Sequence, residues 1–308
     1  MAEFRPYMHV EKYGNDEVRG IELGKLFIFP KLDGTNASVW SVPDGDSKWR
    51  YQCGSRTRTL SRESDNAGFL ATCEESEGDG LGFKLLTFVN RYPNLRLYGE
   101  WLVPHTLKTY RDDVWRRFWV FDVFNDETNT YLNYETYQPL LDGCGLDYMP
   151  PLATIKGGDY EYFIHVLNQN VFGIKDGQGV GEGVVLKNYE FVNEFGNTVW
   201  AKIIQNEFKE QHHRLMGSPE TERKIVEEEI ANVYITESLC TKTYAKIVNE
   251  KQGWTSKYIP ELLGRVFHDL ITEELWQVIK TEKSITINFG MLKHFTIARI
   301  KSILPHLF

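Results

Sequence analysis

The sequence predicts an α+β protein: a strand-rich domain over residues 1–209, followed by a smaller, all-helical C-terminal domain over residues 210–308. Through about residue 205, short runs of β-branched and aromatic residues are punctuated by Gly, Asn, Asp and Pro, the texture of strands joined by turns. After about Lys209, apolar residues recur at helical spacing instead. At 308 residues and 42% hydrophobic, the chain has enough apolar side chains to fill a sizeable core.

Seven runs read as strands: Leu26–Phe29, Ala37–Val42, Trp49–Cys53, Leu95–Trp101, Arg117–Phe124, Gly183–Lys187 and Val199–Ile204. Asp44–Lys48 (DGDSK) supplies hairpin-turn chemistry between the second and third. Arg117–Phe124 (RFWVFDVF) is apolar on both alternating faces, which predicts a central strand covered on both sides. Helices are expected at Gly82–Arg91, Tyr134–Cys144 and Asp159–Asn168. The acidic, glycine-rich stretch Glu74–Gly82 lacks the spacing of an EF-hand and reads as a solvated loop. In the C-terminal part, Ser218 and Pro219 suit an N-cap and a first-turn proline. The segments Ile259–Leu270, Thr272–Glu282 and Phe289–Leu304 continue the helical pattern.

Net charge is −8, so a global basic field of the kind that marks general nucleic-acid binders is absent, and contact with nucleic acid has to rely on local patches. Arg56, Arg58 and Arg62, then Lys108 with Arg111, then Arg116 and Arg117 offer such patches, and Lys293, Arg299 and Lys301 form another on the last helix. Cys53, Cys73, Cys144 and Cys240 form no C-x-x-C pair and read as reduced thiols of a cytoplasmic protein. The adjacent His212 and His213 are poorly placed to share a metal and read as surface residues. No run approaches the roughly 18 apolar residues of a membrane span, and the N-terminus lacks a signal-type apolar core, so no membrane partner is expected.

The strongest chemical signal is Lys31-Leu32-Asp33-Gly34-Thr35-Asn36, directly after the apolar run ending at Pro30. A strand delivers a lysine into a turn, where Gly34 allows unusual backbone angles and the close approach of a ligand. Lysine acts as a covalent nucleophile only as the neutral amine. Alone, a K-x-D-G turn is weak evidence, since such turns occur by chance. Downstream stand Ser55-Arg56, Tyr98-Gly99-Glu100, Phe118–Asp122, Glu182–Lys187 and Ala201-Lys202-Ile203. Taken singly, the carboxylates read as strand ends, Phe121 as core and the arginines as a solvated face. Their order around Lys31 reverses that reading.

This ordered set resembles the motifs of the covalent nucleotidyltransferase superfamily of ligases and capping enzymes. It is most similar to RNA ligases of the T4 RNA ligase 2 type, over roughly residues 25–210. The resemblance implies an antiparallel-sheet adenylation domain and an ATP-dependent enzyme joining 5′-phosphate and 3′-hydroxyl ends of RNA. It implies that Lys31 takes AMP from ATP, that Asp33 orients hydrated metal near it, and that Asn36 sits near the phosphates. Arg56 would contact ribose or phosphates, Glu100 the ribose hydroxyls, and Phe121 would stack on adenine. Glu182 would bind Mg2+ or Mn2+ together with Asp33, and Lys202 would contact the α-phosphate. Oxygen ligands suit magnesium, and nucleotidyl transfer requires cationic clamps and an aromatic platform.

Two positions stand apart. The family often carries lysine-x-lysine where this chain has Lys202-Ile203-Ile204, so one phosphate contact is absent or supplied from elsewhere. Lys187 joins the cofactor-binding set, but on a straight strand it would face away from Glu182, which also suits a structural role or a nucleic-acid contact. DNA ligases and GTP-dependent capping enzymes share the core motifs but resemble each other in carrying an OB-fold after them. The helical tail here favours an RNA ligase, and a monomer is expected. A ligase-derived binding protein without catalysis is the reading of another class, and the intact Lys31, Glu100, Glu182 and Lys202 speak against it.

Overall fold

The punctuated runs fold into two five-stranded sheets in the computed structural model, which describes residues 3–45, 48–75, 78–103, 109–205, 226–281 and 287–308. The strands are β1 (Val10–Lys12), β2 (Lys25–Lys31), β3 (Thr35–Pro43), β4 (Trp49–Gly54), β5 (Leu95–Trp101), β6 (Phe118–Asn125), β7 (Thr130–Tyr131), β8 (Ala153–Lys156), β9 (Gly183–Lys187) and β10 (Trp200–Ile204). The first sheet runs β1-β10-β9-β2-β8 and the second β4-β3-β5-β6-β7. All pairings are antiparallel except β1 with β10, which is parallel. All seven expected strands are present. β1, β7 and β8, at two to four residues each, are too short for an alternation to be visible in the sequence.

The helices of this part are α1 (Phe69–Glu74), α2 (Leu81–Arg91), α3 (Tyr134–Asp142) and α4 (Tyr160–Asn168). Asn133 caps α3 by accepting from the Thr136 N–H, and Asp159 caps α4 by accepting from the Tyr162 N–H. Alternation along the strands sorts side chains by face. On one face of the second sheet, Val39, Leu97, Val120 and Val123 pack with Phe69, Leu85, Phe88 and Tyr137 of the first three helices. On one face of the first sheet, Ile28, Leu186 and Ala201 pack with Phe163 and Leu167 of α4. A further cluster joins Phe27 and Phe29 of the first sheet to Leu102, Tyr110 and Val114, with Trp119 and Phe121 of the second sheet packed against it. Each such side chain, fully buried, stabilises the fold by about 1.5–3 kcal/mol.

Two local expectations need revising. β6 is next to the edge of its sheet, since its outer neighbour β7 has two residues; its apolar faces meet α-helices on one side and the inter-sheet cluster on the other. The stretch expected as a loop at 74–82 begins inside α1 and ends inside α2. The hairpin is as expected: β3 pairs with β4 and the Asp44 N–H donates to the Lys48 carbonyl at 2.9 Å, while residues 46 and 47 between them lie outside the described residues.

The chain divides into two compact units, Met1–Gln205 and Asn206–Phe308. The described part of the second is helical: α5 (Val226–Tyr234), α6 (Glu237–Lys251), α7 (Ile259–Asp269), α8 (Leu275–Thr281) and α9 (Phe289–Ile303), with a π turn at Leu270–Glu274. Its own core contains Ile230, Cys240, Ile247, Leu262, Val266, Leu292 and Ile300. Thr236 and Asn288 cap α6 and α9. The start expected at Ser218 and Pro219, and the pair His212 and His213, lie outside the described residues. All four cysteines are free and buried. Among the described residues no helix is long and apolar enough to cross a membrane.

Candidate active site

Lys31 is the last residue of β2, and its register partner on β9 is Gly183. Gly183 in turn pairs with Ile204 on β10, so Lys31 and Ile204 flank a position that has no side chain. A Cβ at Gly183 would lie 2.2 Å from the Ile203 carbonyl oxygen, so only glycine fits. Glu182, one residue before β9, reaches Lys31: its Oε2 is 2.7 Å from Nζ, with the two side chains 22% and 12% exposed for Lys31 and Glu182 respectively. Lys202 pairs with Val185, which pairs with Phe29, so Lys202 shares the sheet face of Lys31.

The turn after Lys31 is held from the second sheet. Asp33 is buried, and its backbone N–H donates to the Tyr110 hydroxyl at 3.0 Å. The Gly34 N–H donates to Glu100 Oε1 at 2.9 Å. Gly34 lies outside the set of residues with positive φ, contrary to expectation. What demands glycine is proximity: a Cβ there would lie 2.6 Å from the Trp101 carbonyl oxygen and 2.8 Å from Glu100 Cγ. Asn36 pairs in register with Glu100, which places both side chains on one face. Asn36 Oδ1 is buried without a hydrogen-bond donor, an orphaned acceptor beside the candidate nucleotide carboxylate. Asn66 fixes this strand end by donating to the Asn36 carbonyl at 3.0 Å and accepting from the Thr35 hydroxyl at 3.1 Å.

Phe121 and Lys187 meet at a buried polar hub. The register between β5 and β6 shifts at Tyr98/Gly99, leaving Phe121 without a partner and turning its carbonyl and the Asp122 carboxylate toward the first sheet. Lys187, 2% exposed at the side chain, places Nζ 2.8 Å from Asp122 Oδ2 and donates to the Phe121 carbonyl at 2.7 Å. Asp122 Oδ2 also accepts from the Tyr7 hydroxyl at 2.5 Å and from Trp200 Nε1 at 3.1 Å. Burial pulls the Lys187 ammonium below its ordinary value, and Asp122 opposes that shift. Burial, then the Asp122 charge, push the Tyr7 phenol well above its ordinary value, so it stays a donor. The half-buried Phe121 ring lies 4.8 Å from that of Tyr7. The expectation that Lys187 faces away from the site fails because Glu182 precedes the strand; Lys187 pairs with Phe27 and shares the face of Lys31. Its burial also rules out a surface contact with nucleic acid.

Arg56 is exposed, and its guanidinium lies 3.5 Å from His9 rather than at the Lys31–Glu182 pair. Arg58 is held by the carbonyls of Ser64 and Asp65, Arg62 by Glu74, Arg111 by Asp113 and Arg117 by Asp147. Lys108 lies outside the described residues. Sequence reasoning missed Tyr7, Asn66 and Tyr110, which carry no motif, and left Asp122 without a role. An acidic residue inside an apolar strand was the available signal for the last.

A family model described as RNA ligase matches residues 24–204. The chain belongs to the RNA ligase family. Solved structures agree on the nucleotidyltransferase fold. Naegleria gruberi RNA ligase with PPi is 21% identical, with 70% of this chain and 60% of that chain covered and a TM-score of 0.51. Two mutants of the same ligase, one with AMP and Mn and one with ATP and Mn, are 17% and 19% identical, each with 69% and 60% covered and a TM-score of 0.51. This RNA ligase family member thus spans about 60% of the length of the structures it matches. No curated protein matches the sequence.

Proposed function

We propose that the chain is an ATP-dependent RNA ligase that joins 5′-phosphate and 3′-hydroxyl ends through lysyl-AMP. The observation that carries this is Lys31 at the end of β2, in contact with Glu182 at 2.7 Å and on one sheet face with Lys202. That N. gruberi RNA ligase is seen with ATP and Mn supports ATP as the nucleotide.

In the first step the Lys31 amine attacks the α-phosphorus of ATP. A P–N bond forms, the bond from the α-phosphorus to the bridging β-phosphate oxygen breaks, pyrophosphate leaves with the electron pair, and the proton released from nitrogen passes to solvent. Lys202 offsets negative charge on the α-phosphate, Glu100 accepts from the ribose hydroxyls, and Phe121 forms one wall for the adenine. Asn36, with its orphaned buried oxygen, gives a further polar contact beside Glu100. Arg56 reaches the ribose or phosphates only if its exposed loop swings in. AMP then passes to an RNA 5′-phosphate, and a 3′-hydroxyl displaces it.

Among the described residues no group of three or more His, Cys, Asp and Glu is placed to hold a metal alone. Magnesium is commonly bound by one or two carboxylates with phosphate oxygens and waters completing its shell. Glu182, in contact with Lys31, and the buried Asp33, two residues further along the chain, would hold it. When bound, such a cation neutralises phosphate charge.

Intact-protein mass spectrometry after incubation with magnesium and each nucleoside triphosphate separately tests the reading. A gain of one AMP with ATP, absent in Lys31→Ala, is expected. A gain with GTP alone would replace ligation by capping chemistry, and no gain with any nucleotide, in protein first shown to be free of AMP, would sink both.

A further inference from the structure

Lys12 lies beside Lys202. β1 pairs in parallel with β10 in the register Val10↔Trp200, Glu11↔Ala201, Lys12↔Lys202. Register partners project to the same face, and the packing agrees: Ala201 points to the α4 side and Tyr13 stacks edge-on against Phe163 of α4. Glu11 therefore shares that side, where its carboxylate accepts from Asn15 at 3.1 Å, and Lys12 shares the opposite face with Lys202 and Lys31.

Lys12 thus adds a third cation to the face that carries Lys31 and Lys202. Strand order makes the arrangement directional: Lys31 on β2, the bare Gly183 on β9, then, two residues along from the Gly183 partner Ile204, Lys202 on β10 and its partner Lys12 on β1. Each strand adds about 4.8 Å. A polyphosphate with its first phosphorus at Lys31 and Lys202 runs its remaining phosphates toward Lys12. Ile204, the register neighbour of Gly183, offers no charge on this face.

We propose that Lys12 binds the β- and γ-phosphates of the nucleoside triphosphate and stabilises the leaving pyrophosphate, the contact that Ile204 does not make. This rests on Lys31 being the adenylyl acceptor. As the Lys31–P bond forms and the bond to the β-phosphate oxygen breaks, the electron pair and charge move onto pyrophosphate, within reach of the Lys12 ammonium.

The test compares wild type, Lys12→Ala, Lys12→Arg and Lys12→Ala/Ile204→Lys, with magnesium and ATP. Lys12→Ala is expected to slow lysyl-AMP formation roughly 10- to 100-fold. Sealing of a pre-adenylylated RNA end, which needs no triphosphate, falls far less. Lys12→Arg keeps most of the rate, and Ile204→Lys restores much of what Lys12→Ala loses. Lys12→Ala adenylylating at the wild-type rate overturns the proposal, as does an equal loss in both steps. Calorimetric binding of inorganic tripolyphosphate separates the two readings. If wild type forms no adduct with any nucleotide, the ligase reading fails, and equal tripolyphosphate affinity in wild type and Lys12→Ala then overturns this inference as well.

Discussion

Asp122 gathers Tyr7, Trp200 and Lys187 on one carboxylate oxygen, at 0% exposure. A buried ion pair adds little net stability, but removing one partner leaves a charge stranded and costs about 3–5 kcal/mol. Lys187→Met should therefore lower the chemical-denaturation free energy by that amount, and Asp122→Asn added to it should recover part. If Lys187 instead served only the nucleotide, Lys187→Met would lose adduct formation at unchanged stability. Because Nζ also holds the Phe121 carbonyl, the pair sets where that ring stands. At this scale the ordered motifs pointed to Lys31 and Glu182, which the structure places in contact, and to Lys202, which it places on the same sheet face as Lys31. The sequence was silent on Tyr7, whose importance comes from a contact 115 positions away in the chain. The parity argument for Lys187 failed because alternation holds only inside a strand.

The joint between β2 and β3 is the element on which the site turns. Gly34 lets β3 run so close to β5 that Glu100 can accept from its N–H. Gly34→Ala forces the Trp101 carbonyl and Glu100 apart, a form of overpacking that costs typically 1–3 kcal/mol. The expected outcome is a lower melting temperature together with slower lysyl-AMP formation; a variant that adenylylates and melts like wild type would show the approach is not needed. Strand positions were readable because buried runs and their turn residues are local properties. The shift that frees Phe121 was not readable, since it is a mismatch between two strands and neither sequence records it alone. The three-residue β1 was invisible for a related reason: β10 makes it a strand.

The whole molecule consists of two units with separate cores, and every candidate site residue lies in the first. We infer that the functional boundary falls near residue 209, as the change of texture suggests. A fragment of residues 1–209 should fold and take up AMP on Lys31 by itself, with circular dichroism and intact mass as the readouts; a folded fragment that stays uncharged would assign the helical unit a part in the first step. The change from strand to helical periodicity is a local property visible in the sequence, whereas the pairing of β1 with β10 is not. That pairing has a consequence for how the protein is made. The first and last strands of the unit are neighbours in one sheet, and Glu182 and Lys202 are synthesised long after Lys31. At about 5–20 residues per second, a ribosome needs roughly 10–35 s to travel from Lys31 to Ile204. Throughout that interval Lys31 stands without Glu182 and Lys202, so on the proposed mechanism charging waits until translation has passed β10.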